Sequence, residues 1–95
     1  MSTDAGVRNV AELRQFGQSL QQMGEQMNSV MQQAQQRLSR VSENWHDDKN
    51  DKFKASFAER VRTIKQMADD FKEYNQYIKR TCDILEQYKH NTINL

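Results

Sequence analysis

The residues of this 95-residue chain best suited to chemistry are two histidines, one cysteine and three tyrosines, and their spacing decides what they can do. His46 stands beside Asp47 and Asp48 in the stretch 41-VSENWHDDKNDKF-53, a trio that could offer a metal one nitrogen and two carboxylates. A stable site needs three or four convergent ligands, so three neighbours in a polar turn are expected to be solvated. His90 lies far along the chain, some tens of Å away if the intervening segment is straight helix, so the two histidines cannot share a metal within one chain. Cys82 is alone, which rules out an internal disulfide. With no histidine near it in sequence, it reads as a small core residue rather than a nucleophile. Tyr74, Tyr77 and Tyr88 could form a binding surface, although two of the three fall on an apolar flank. No glycine-rich phosphate loop, nucleophile elbow or pair of catalytic carboxylates is found. The expectation is a non-enzyme without catalytic residues, cofactor or metal.

The elements that carry these residues are legible from composition. The chain has no proline, 36% hydrophobic residues, and only three glycines, all in the first quarter, so nothing interrupts a helical reading. One domain spanning 1–95 is the most this length supports. A formal charge of +1 gives no field to attract nucleic acid or an anionic bilayer. The basic residues Arg60, Arg62, Lys65, Lys72, Lys79 and Arg80 alternate with acids, which argues against a nucleic-acid partner. Apolar runs never exceed two residues, so no membrane span is expected. The first residues, MSTDAGVRNV, lack the pattern of a cleaved signal peptide, which by itself suggests the cytoplasm.

A heptad fits from Val10 onward. Val10, Gly17, Gly24, Met31, Leu38 and Trp45 fall at a, and Leu13, Leu20, Met27, Ala34 and Val41 at d. The nine glutamines between positions 15 and 36 fall on b, c, e or f, columns this register assigns to water. Phe16, Met23 and Val30 occupy g beside the two glycines, each of which weakens a helix by about 1 kcal/mol relative to alanine. Close approach of another helix would explain them. Val10, Leu13, Phe16, Gly17, Leu20, Met23, Gly24, Met27 and Met31 are therefore the expected interface with a second molecule. In the second segment Phe57, Ile64, Phe71, Ile78 and Leu85 recur every seven residues, with Phe53, Met67, Tyr74 and Tyr88 on one side and Val61, Ala68 and Cys82 on the other. Leu38, Val41, Phe53, Phe57, Ile64, Phe71, Ile78 and Leu85 form the expected hairpin core.

Between the segments, Trp45 continues the a column and so reads as the last core residue of the first helix, its indole N–H near the polar rim. Asp47 and Asp48 are good N-caps for the second helix. The fold expected is all-α: helix 1 over about 8–43, a turn over about 44–48 and helix 2 over about 49–90. A link that short makes the helices antiparallel neighbours. Each offers more apolar width than one partner covers, and water left on it forgoes about 25 cal/mol per Å². Two hairpins packed into a four-helix bundle dimer would cover it.

A helical hairpin with Trp45 at its turn and Phe53 and Phe57 opening the second helix resembles the small WXG-type proteins of type VII secretion, over nearly the whole chain. Asp47 stands at the family's glycine position, which is similar to the divergent W-x-D branch. The family's export spacing, a tyrosine followed four residues later by an acid, is absent: Tyr74, Tyr77 and Tyr88 are followed by Ile78, Thr81 and Thr92. The resemblance implies homo- or heterodimeric bundles, the partner being another helical hairpin or the helical N-terminal domain of a larger effector. It also implies a role as substrate, chaperone or targeting partner, and release from the cell folded, without signal-peptide cleavage. The alternative is a cytoplasmic coiled-coil assembly adaptor with no export role. Arg60 and Asn75, polar on an apolar flank, fit either a specific partner or a wet edge.

Overall fold

The computed structural model describes the backbone of residues 2–94 and the side chains of residues 9–88. It consists of two helices, α1 (Ser2–Ser42) and α2 (Asp48–Asn94), packed as a hairpin. Both run further than expected, α1 starting at 2 rather than 8 and α2 ending at 94 rather than 90. With no proline and no glycine beyond Gly24, nothing in either segment stops propagation. The turn is one residue off at each edge, and His90 lies outside the described side chains. None of the described helices is long and apolar enough to cross a membrane.

The chain divides into two compact units, Met1–Gln22 with Asp70–Leu95, and Met23–Asp69. In each, the side of α1 turned to α2 differs from the one the heptad alone suggests. Giving the column of Phe57 the letter a in α2 places Val61, Ala68, Asn75 and Cys82 at e, and Tyr77 and Ile84 at g. On α1 the apolar columns are a, d and g, centred on d. The columns that lose water are a, d and e, because Arg14, Gln21, Asn28 and Gln35 at e are half-buried and Ser42 is buried, whereas Phe16, Met23 and Val30 at g are exposed. At 3.6 residues per turn the two centres lie about 60° apart. Gln21 and Gln35, expected in water, therefore face inward.

α2 shows the offset only in its second half, where g carries Tyr77 and Ile84; in its first half e carries Val61 and Ala68 while g carries Ser56 and Thr63. Its most buried column is e, with Val61 and Cys82 as the buried apolar residues among those described and Asn75 buried between them in sequence. Phe57, Ile64, Phe71 and Ile78 are half-buried, as a core position must be where only two helices meet. Three expected core residues are not covered: Val41 is 60% exposed, Phe53 49% and Leu85 44%. Val41 and Phe53 stand at d, the edge turned away by the rotation. Leu85 keeps its column, yet that column is itself an edge once e becomes the centre.

Candidate partner-binding face and its turn

The turn is held by backbone and side-chain hydrogen bonds from both helix ends. α1 closes with i to i−3 hydrogen bonds, Glu43 N–H to Arg40 O at 3.3 Å, Asn44 to Val41 at 3.2 Å and Trp45 to Ser42 at 3.3 Å, which use up the last free carbonyls. Asp47 caps α2: its Oδ1 accepts the Asn50 N–H at 2.8 Å, and its carbonyl accepts from Asp51 at 3.1 Å. Asn50, almost fully buried, then joins the helix ends, its Nδ2 donating to Trp45 O and its Oδ1 accepting from Ser42 Oγ at 3.2 Å. The sequence points to Asp47 but not, on its face, to Asn50. The signal was present, since Asn50 lies seven residues before Phe57 and so on the core column, where a polar residue must be satisfied.

Trp45 sits at the rim rather than in the core. It is 38% exposed, its ring centroid 6.5 Å from that of Phe53, which stacks at 6.0 Å on Phe57. The three rings form a ladder from rim to seam, worth about 0.5–1.5 kcal/mol per pair beyond burial. His46 is exposed beside it, and no group of three metal-ligating residues converges among the described residues. An open notch in the same unit is lined by Gln35, Leu38, Ser42, Glu43, Lys54 and Phe57 among others, and it holds neither histidine nor cysteine.

In the unit formed by Met1–Gln22 and Asp70–Leu95, the flank at e is polar and paired. Arg14 reaches Asp83 at 3.0 Å and Glu86 at 3.1 Å, and hydrogen bonds to Asp83 and then Glu86 hold its guanidinium still further above its ordinary pKa. Asn75 Nδ2 donates to Gln21 Oε1 at 2.7 Å, while Asn75 Oδ1 is buried without a partner, a cost of about 1–3 kcal/mol. Cys82, fully buried, lies with its Sγ 3.6 Å from Val10 O.

Gly17 faces α2 of its own chain. A Cβ added there would stand 2.6 Å from Asn75 Oδ1 and 3.1 Å from Ile78 Cγ2. This corrects the expected interface. Gly17 and Gly24 are buried and Val10, Leu13, Leu20, Met27 and Met31 half-buried within the hairpin, leaving Phe16 and Met23 as the expected contact residues that face outward. The g column of α1, rather than the a column, holds the exposed apolar side chains Phe16, Met23 and Val30. In the same unit as Phe16, α2 exposes Tyr74, Tyr77, Ile84 and Tyr88 by 53%, 65%, 64% and 73%. In the other unit Met23, Val30, Val41, Trp45 and Phe53 are the exposed large apolar residues. Both sets are suited to covering another apolar surface.

Compared with protein-family models, curated proteins and solved structures, the chain matches none of them.

Proposed function

We propose that this chain is a pairing module, a helical hairpin that completes a four-helix bundle with a second hairpin. The partner is either a second copy or the helical N-terminal region of a larger protein. The observation that carries this reading is the set of large apolar side chains left in water in each unit, Phe16, Tyr74, Tyr77 and Ile84 in one and Met23 and Val30 in the other, each 51–65% exposed. Surface area agrees. The chain exposes 7651 Å² at 11.3 kDa, against about 5,700 Å² for a compact monomer of that mass, and one side of a standard interface covers about 800 Å².

The resemblance carried by Trp45, Asp47, Phe53 and Phe57 directs the reading further, to a WXG-like substrate, chaperone or targeting partner of type VII secretion that is exported folded. A second reading, an assembly adaptor that stays in the cytoplasm, draws on the acid missing four residues after Tyr74, Tyr77 and Tyr88. Co-expression with the products of neighbouring genes, followed by mass measurement of the purified complex, tests the pairing. Detection of the intact, helical chain in the medium of its native host, with cell lysis excluded, supports export; retention in the cells while pairing persists supports the adaptor.

A further inference from the structure

In the unit formed by Met1–Gln22 and Asp70–Leu95 the helices do not bury the side that is most apolar. On α1 that side is centred on d and includes Phe16 at g, yet the seam is centred on a and takes in Arg14 and Gln21 at e. On α2 Asn75 and Cys82 at e are buried while Tyr77 and Ile84 at g are exposed. In an antiparallel pair the e columns meet on one flank of the seam and the g columns on the other. Turning each helix by about one column would bring the g flanks inward and return the polar flanks to water. Something holds them from doing so.

We propose that the amide pair Gln21–Asn75, aided by Arg14 with Asp83 and Glu86, is a rotational lock that keeps the apolar flank of this unit turned outward for a partner. The lock's purpose rests on the pairing proposed for the chain. Three observations fit it. The 2.7 Å bond from Asn75 Nδ2 to Gln21 Oε1 joins the e columns directly, and the Arg14 contacts at 3.0 and 3.1 Å join the same flanks further along the seam. Gly17 is the residue that lets Asn75 sit in the seam, since a Cβ there would be 2.6 Å from its Oδ1. Asn75 Oδ1 remains buried without a partner, so the position is not optimised for the stability of the hairpin alone. In positions 23–69 the pattern holds on α1, where Asn28, Gln35 and Ser42 at e lose water while Met23 and Val30 at g stay exposed.

Cys82 reports the rotation without any added probe, because it lies at e and is fully buried in the locked arrangement. The triple variant Arg14→Ala, Gln21→Ala, Asn75→Ala removes the lock without adding large apolar side chains to the e flank. Its Cys82 should react with a maleimide at least tenfold faster than in the parent, with helicity and thermal midpoint retained, and its association should weaken at least tenfold. The opposite variant, Asn75→Leu, makes the e flank more apolar; its Cys82 should stay protected and its midpoint should rise. If Cys82 stays protected in the triple variant, or becomes reactive only through loss of helix, there is no lock, whatever the association shows. If the parent chain pairs with nothing, the pairing reading fails, and the lock's purpose with it, even where the Cys82 rates differ as expected.

Discussion

Asn50 and Gly17 show how far single residues decide this fold. Asn50 satisfies the Trp45 carbonyl in the turn and the hydroxyl of Ser42, the last residue of α1, and its own N–H is capped by Asp47. Asn50→Ala should lower hairpin stability by about 1–3 kcal/mol in urea denaturation, since it strands buried partners. Asp47→Ala, which loses one exposed cap, should cost about 1 kcal/mol. Equal effects from the two would contradict the bridging role of Asn50. Gly17→Ala sets a helix-propensity gain of about 1 kcal/mol against overpacking of about 1–3 kcal/mol, because Ile78 atoms at 3.1 and 3.3 Å must move with α2. A net loss is expected, and a raised thermal midpoint would show that α2 yields freely. At this scale Asp47 was legible as a cap from its type and place. Asn50 was not, because a polar residue on a core column looks like an error until its partners are known.

For the helices, periodicity found both segments and placed their join to within one residue at each edge, since 3.6-residue spacing and the lack of breakers are properties of the chain itself, while the outer ends run six and four residues further than expected. Periodicity did not find the rotation. It reports where apolar residues lie, centred on d, and is silent on how polar residues at e bond across the seam. Gln21 reads in sequence as a wet position and Asn75 as either a partner contact or a wet edge, yet the two are bonded to each other at 2.7 Å. That is why Val41, Phe53 and Leu85 were expected in the core and the glycines in an outer interface. The outward flank gives a direct test. Phe16→Ser with Tyr77→Ser should change unfolding of the isolated hairpin by less than about 0.5 kcal/mol, because both side chains are mostly in water. The same pair should weaken association at least tenfold by sedimentation. A large loss of monomer stability would mean that these rings belong to the hairpin's own core.

As a whole molecule the chain buries little: the described residues include Val61 and Cys82 as buried apolar side chains, and eleven large ones are exposed. Burial at about 25 cal/mol per Å² is the main favourable term in folding, so a chain that leaves this much surface wet gains most by sharing it. The excess apolar width was visible in sequence, because the number of apolar columns on each helix is a property of the chain itself. Sedimentation equilibrium from nanomolar to micromolar concentration, on the chain alone and with each neighbouring gene product, tests the pairing most directly. A mass of twice 11.3 kDa, or of a one-to-one complex, is predicted in the micromolar range. A helical species that stays at the monomer mass throughout, alone and in every mixture, would contradict it.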